Sequence, residues 1–261
     1  MEPMMGSLEN TSAIFQLLTR LRRAVTVSDV VQHLDMPKSS ASRVLKQMAE
    51  QKLLERDPGT LAYGPALMLL ELAHMVRAST PLLSMMDKAL SGLCEQTGHT
   101  GYISVLDEQE VVVLRVHPGI HPLRVVTFPG QRGPAWAGST GRALLARETD
   151  DSVAHRFAAG LPATSSAAPD TVAELLRRIA ETRRTGFSVA LDESLPGIGA
   201  VGCAVGDPSS GESLAFSLTF PLTMSTPAEI ERLAATMREQ ASQLGRTVGD
   251  PYWSTGPAAA A

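Results

Sequence analysis

Residues 37–51 read PKSSASRVLKQMAEQ, and the interpretation of this stretch decides how the rest of the chain is understood. Wound as a helix, it places Ala41, Val44, Leu45 and Met48 on one face, at the i, i+3, i+4, i+7 spacing of a buried stripe. The opposite face carries Ser39, Ser42, Arg43 and Lys46. Pro37 suits a first helical turn, where its missing N–H costs nothing. Small hydroxyls and two cations, with no acid before Glu50, suit a groove lined with phosphates. Serines fit close to base edges, and Arg43 and Lys46 are long enough to reach guanine acceptors or phosphate oxygens. The same pattern also fits an ordinary solvated helix, so the neighbouring segments decide.

Upstream, Thr26 reads as an N-cap with Asp29 three residues on, a variant of the capping box. The helix it opens, 27–34, buries Val27, Val30, Val31 and Leu34, and the short turn Asp35-Met36 leads into the 37–51 stretch. Before it, a helix capped at Asn10 or Thr11 and running to about residue 23 buries Ile14, Leu17, Leu18 and Leu21. Residues 1–9 are expected to form a loose arm. Downstream comes LLERDPGTLAYGP: two short strands, 53–56 and 61–63, around the turn Asp57-Pro58-Gly59-Thr60. Two short helices joined by a tight turn, followed by a β-wing, make a winged helix-turn-helix. Its candidate DNA contacts are Lys38, Ser39, Ser40, Ser42, Arg43 and Lys46 on the helix and Arg56 beside the wing tip, and its partner is a double-stranded operator.

Composition supports this placement. A length of 261 residues fits two domains, and 44% hydrophobic content is enough for two cores. The net charge of −4 excludes a broadly basic, indiscriminate polyanion binder. Between residues 38 and 56, however, five cations face Glu50 and Glu55, a local excess of three. The two cysteines, Cys94 and Cys203, match no metal-ligand spacing. No signal peptide or membrane span is read, so the expected setting is the reducing cytoplasm.

Gly64-Pro65 then breaks the chain, and a helix over 66–78 is apolar around most of its circumference. Such a helix needs cover on several sides. The winged domain and a second subunit would provide it, which predicts a homodimer; packing wholly within its own chain is the alternative. A helix over 82–97 ends at Gly98. Beyond it, strands are expected at 102–106, 111–116, 123–128, 187–191, 200–205 and 214–220, with hairpin loops at 107–109 and 207–211. Helices are expected at 139–147, 151–160, 171–185 and 227–246, with a loop at 161–169. Helices packed against one face of an antiparallel sheet make this part an α+β domain. The domain limits read 1–64 for the winged helix-turn-helix, 65–80 for the linker helix, 81–248 for the second domain, and 249–261 for a disordered tail.

Two segments of the second domain point to a ligand. Residues 137–146, AGSTGRALLA, run from a small-residue turn into a helix, so free N–H groups and the Ser139 and Thr140 hydroxyls form a natural carboxylate site. Simple capping by Ser139 explains the same residues. Residues 193–205, ESLPGIGAVGCAV, precede a strand on which Ser217 and Thr219, two apart, share a face. A pocket between them suits a small organic acid.

Taken together, PKSSASRVL, AYGPALMLLELA, AGSTGRALLA and TGFSVALDESLPGIGAVGCAV with the trailing SLT resemble the IclR family of bacterial transcription regulators, over about residues 10–245. The resemblance implies a GAF-like C-terminal domain that binds a metabolite. It also implies dimers that pair into a tetramer, a dimer of dimers, and control of nearby catabolic or biosynthetic genes. The family's ligand contacts carry over to Ser139, Thr140, Ala190, Ile198, Ala200, Ser217 and Thr219, with Val125 as a wall residue. Two departures stand out. Many members have proline where Ala204 stands, and members that bind the smallest keto acids have an acid and a cysteine in place of Ala190 and Ala200. A larger or more apolar acid is therefore expected here.

Two other classes fit parts of the chain. An enzyme would have to draw on Ser139, Cys203 or a histidine, but no Gly-x-Ser-x-Gly elbow surrounds Ser139 and Cys203 lies in an apolar strand. His117 and His121 have metal-like spacing, but Pro118-Gly119 places them in a loop with no third ligand. No catalytic residue, metal or cofactor is assigned. The other class is an architectural DNA-binding protein without a ligand.

Overall fold

The computed structural model describes residues 6–77, 80–121, 125 and 127–255. The chain divides into two compact units, one ending at residue 79 and the other beginning at Thr80.

The first unit holds α1 (Ser7–Leu21), α2 (Val27–Leu34), α3 (Lys38–Glu50), β1 (Leu54–Arg56), β2 (Tyr63–Pro65) and α4 (Leu67–Arg77). Its core draws on the stripes read from the sequence through Ile14, Leu17 and Leu18 of α1, Val30 of α2, and Ala41, Val44, Leu45 and Met48 of α3. Leu21, Val27, Val31 and Leu34, also expected there, are half-buried against it, and Val25, Met36, Leu54 and Tyr63 complete it. Thr26 caps α2 in a full capping box with Asp29, whose carboxylate also binds Arg23. Asp35 turns the chain into α3 with a left-handed backbone.

Three details differ from expectation. α1 begins at Ser7 because the Glu9 carboxylate accepts the Gly6 N–H at 2.7 Å, so residues 7–9 belong to the helix rather than to a loose arm. Pro37 is the extended N-cap of α3, one residue outside the first turn. The wing's second strand starts at Tyr63, not at residue 61. The Asp57 carboxylate closes the turn on the Gly59 and Thr60 N–H groups, Leu61 takes a left-handed φ of 59°, and pairing resumes at Arg56 opposite Tyr63. Gly64 and Pro65 therefore complete β2 instead of breaking the chain. The proline is tolerated because a two-stranded sheet consists only of edges.

The second unit contains α5 (Pro81–Thr97), β3 (Thr100–Asp107), β4 (Glu110–His117), β5 (Arg132–Pro134), α6 (Ser139–Leu145), α7 (Asp150–Arg156), α8 (Val172–Thr185), β6 (Ser188–Leu191), β7 (Ile198–Asp207), β8 (Glu212–Pro221), α9 (Pro227–Val248) and α10 (Pro251–Thr255). Six strands form one antiparallel sheet in the order β5-β4-β3-β8-β7-β6. Of the strand expected over 123–128, residues 123, 124 and 126 lie outside the described set and 125, 127 and 128 are not strand; the third strand of the hairpin region is β5, against β4.

The sheet is covered on both faces, not on one. Val201, Cys203 and Val205 of β7 and Phe216 and Leu218 of β8 pack with α5 and α9, through Leu82, Leu90, Met237 and Ala241. The intervening Ala204 and Ala215 pack on the opposite side with Leu144 of α6 and Leu175 and Ile179 of α8. Strands buried on both sides lose the alternation that reports a one-sided sheet, and small residues on the α6 side let that helix lie close.

The segment from residue 249 is ordered as far as Thr255, against the expectation of a disordered tail; residues 256–261 lie outside the described set. Trp253 is 2% exposed and donates from Nε1 to the Ala204 carbonyl at 2.9 Å. Asp250 is fully buried, pairs with Arg147, and accepts the Gly206 N–H at 2.8 Å. One aromatic side chain and one carboxylate anchor a stretch whose Gly, Pro and Ala content reads as disorder.

Candidate functional site

The α3 surface is divided as its sequence demands. Ala41, Val44, Leu45 and Met48 are buried, while Lys38, Ser39, Ser42, Arg43 and Lys46 are exposed and Ser40 is half-buried at the edge. Lys46 lies 3.7 Å from Glu50, a solvent-exposed pair that holds it only weakly. Arg56 is exposed on the wing, its guanidinium 5.6 Å from the Tyr63 ring centre, within cation–π range. The cations and hydroxyls of α3 are thus presented to solvent over a buried apolar stripe.

The second unit contains a cavity of about 200 Å³ on the α6 side of the sheet. Its wall brings together all eight residues singled out from the sequence: Val125, Ser139, Thr140, Ala190, Ile198, Ala200, Ser217 and Thr219. Strand alternation explains how. Ser217 and Thr219 of β8 lie beside Gly202 and Ala200 of β7, and Tyr102 of β3 lies opposite Ser217. Two glycines let α6 complete the wall. A Cβ on Gly202 would sit 2.9 Å from the Ser139 carbonyl carbon, and one on Gly141 would meet the Ala135 carbonyl oxygen at 2.1 Å.

Sequence reading missed Tyr102, Ser104, Thr127, Gln131 and Arg132, which also line the cavity, while Ser194 and Leu195 come from the 193–205 segment it had singled out. The period-2 pattern of β3 would have revealed Tyr102 and Ser104. Arg132 lies on β5, a strand not foreseen. Burial raises the Tyr102 phenol above its ordinary pKa, so it stays protonated and donates to the Val125 carbonyl at 2.8 Å.

The polar character of the cavity comes from hydroxyls. Ser104, Ser139 and Ser217 are each at most 3% exposed, and with Thr140 they line the cavity. Thr219 donates to the Thr100 carbonyl at 3.3 Å. Gly138, not Ser139, is the N-cap of α6, so capping does not account for the Ser139 hydroxyl. The helix has only seven residues, too few for a strong dipole. The one charged residue of the described wall, Arg132, is bound at 2.6 Å by both Asp107 and Glu110. Val111, Val113, Leu195 and Ile198 make the remaining wall apolar.

Behind the wall, Arg142 of α6 is 1% exposed and pairs with the buried Glu193. Burial pulls the guanidinium below its ordinary pKa and Glu193 opposes that shift; it remains charged.

The cysteine and the two histidines weighed as catalytic or metal-binding candidates lie in separate surroundings. Cys203 is fully buried, and burial drives its thiol far above its ordinary pKa, which leaves it unreactive. His117 binds Asp87 at 2.9 Å while His121 lies against the His99 ring, 5.0 Å between centres, so the two histidines have different partners. Among the described residues no group of three or more His, Cys, Asp or Glu side chains is placed to hold a metal.

A DNA-binding head joined to a domain with a small-molecule cavity defines a one-component transcription regulator. The IclR helix-turn-helix domain model matches residues 7–58, and the model described as bacterial transcriptional regulator IclR C-terminal matches residues 74–246. The chain belongs to the IclR family of transcriptional regulators, and its relatives are regulators rather than enzymes. It is 27% identical over 236 residues to "Probable transcriptional regulator SauR" of Cupriavidus necator, covering 90% of this chain and 93% of that one. It is 23% identical over 250 residues to the transcriptional repressor IclR of Escherichia coli, covering 93% and 90%. Among solved structures, an IclR regulator from Alicyclobacillus acidocaldarius superposes with a TM-score of 0.79 at 21% identity, covering 94% of this chain and 99% of that one. An IclR homologue from Microbacterium hydrocarbonoxydans, complexed with 4-hydroxybenzoate, gives 0.79 at 20% identity with the same coverage.

Proposed function

We propose that the exposed face of α3, with Lys38, Ser39, Ser40, Ser42, Arg43 and Lys46, docks in the major groove of an operator while Arg56 holds the flanking backbone. A small, mostly apolar organic acid in the α6-side cavity controls that docking. Its carboxylate meets the Ser139, Thr140 and Ser217 hydroxyls and its body lies against Ala190, Ile198, Ala200 and the valines. The observation that carries this reading is the gathering of the Ser104, Ser139, Thr140, Ser217 and Thr219 hydroxyls on the wall of one otherwise largely apolar cavity, where they can orient a polar group of a ligand. A volume of about 200 Å³ is small for a ligand site and suits a molecule of one ring. The Microbacterium homologue's ligand makes 4-hydroxybenzoate the first probe.

The regulator works as a homodimer, and dimers pair into a tetramer, in the cytoplasm of its host. The apolar residues that α4 leaves exposed support self-association. Ligand then shifts the population between dimer geometries that do and do not match the operator half-sites.

Thermal melts of the full chain against 4-hydroxybenzoate, benzoate and aliphatic monocarboxylates test the cavity. A bound acid raises the midpoint with concentration, Ser217→Ala reduces the rise, and operator affinity changes with the same acid. No shift across the panel together with constant operator affinity would refute the acid-gated reading.

A further inference from the structure

Three strips of chain contribute to the cavity wall: 138–140, Ala190, and 194–195. They belong to α6, β6 and the irregular segment between β6 and β7. Ladder hydrogen bonds join only the second of them to the sheet. One side chain links all three from behind. Arg142 donates from Nη1 to the Trp136 carbonyl at 3.1 Å, from Nε to Ser188 Oγ at 3.2 Å, and from Nη2 to the Val189 carbonyl. Its remaining two N–H groups go to the two oxygens of Glu193. All five guanidinium donors are therefore used, on residues one or two positions from each strip. Arg142 is not itself part of the wall.

Stability alone does not explain this arrangement. A buried ion pair roughly breaks even against an apolar pair of the same volume, because desolvation offsets the attraction. What a planar fork adds is direction: each N–H fixes the angle as well as the distance of its partner. The segment from 192 to 197 needs such direction most. It closes on itself through Gly197 N–H to Asp192 at 2.6 Å and Ile198 N–H to the Leu195 carbonyl at 3.2 Å. Leu195, in the wall, is 46% exposed. Glu193, 5% exposed, is the segment's inward anchor, and its second partner is Arg178 of α8 at 3.0 Å.

We infer that Arg142 and Glu193 form a clasp that positions the cavity wall, so that the pair sets effector affinity without touching the effector. The functional consequence rests on the cavity being the effector site; the clasp itself does not. Both are positioning residues.

The test uses the full chain and Glu193→Gln, which keeps the shape and removes the charge. Hydrogen exchange is expected to quicken by about tenfold or more in 136–141 and 188–199, while β3, β8 and α9 exchange at the wild-type rate. If wild type binds 4-hydroxybenzoate, the variant binds it about tenfold or more weakly, with operator affinity in the absence of acid unchanged. Exchange that matches wild type in those two segments, or that quickens uniformly over the second unit, overturns the clasp. A localised rise with no acid binding by wild type upholds the clasp and counts against the effector reading, so the two failures are distinct. Should Glu193→Gln not fold, Arg178→Gln removes only the more exposed partner, and the same localised pattern at smaller amplitude is expected.

Discussion

Arg43 and Lys46 leave α3 on the side where Ser39 and Ser42 keep the helix surface low, so the two cations can approach a duplex closely. Each phosphate contact releases condensed counterions, and its loss lowers the salt dependence of binding by about one unit of slope. Arg43→Ala and Lys46→Ala are each expected to weaken operator binding and flatten its dependence on salt, measured by titrating labelled duplex at several salt concentrations. Variants that bind as wild type does would mean that another face meets DNA. At this scale much was legible: hydroxyls and small residues cluster in AGSTGRALLA and SLT, and although capping could explain Ser139 locally, Gly138 takes the cap and the hydroxyl lines the cavity. Arg142 and Glu193 were not, since in a linear sequence a charge reads as solvent-exposed until a buried partner is known.

Among the elements, α2 shows how a boundary is written in residues. Thr26 and Asp29 satisfy each other's backbone donors, and the Arg23 guanidinium and the Thr26 N–H beside Asp29 hold its carboxyl far below the usual carboxylate range. A folded-state pKa lowered in this way adds stability above the unfolded value, and that stability disappears as pH falls through about 4 and below. Asp29→Asn is expected to cost about 1 kcal/mol near neutral pH. The gap between variant and wild type should close as the pH drops below about 4, as read from thermal melts across that range. A gap that stays constant with pH would show that the carboxylate's charge is not what stabilises the cap. Helices were readable because caps and 3.6-residue periodicity are local. β5 was not: Arg132-Gly133-Pro134 has the composition of a turn and is a strand only because β4 pairs with it. The two-sided cover of the sheet was also hidden, since β7 and β8 are apolar or small at nearly every position and give no alternation to read.

For the molecule as a whole, α4 poses the main question. Leu67, Leu70, Leu72 and Met75 are 50% to 68% exposed, an apolar surface that a monomer would leave in water. If a second copy covers it, Leu70→Glu is expected to shift the protein from dimer to monomer in sedimentation velocity and to lower operator affinity, because one half-site is then bound at a time. An unchanged sedimentation coefficient would place the subunit contact elsewhere.

The family model stops at residue 246, yet Asp250 and Trp253 plug the back of the strand whose front end shapes the cavity. Anyone trimming the protein to the span its relatives share would pull that plug. Replacing Trp253 by alanine alone should cost about 3–5 kcal/mol in urea melts, and a chain ended at residue 248 should suffer at least as much. Engineering at this terminus therefore belongs beyond Thr255, where an added tag leaves the plug seated.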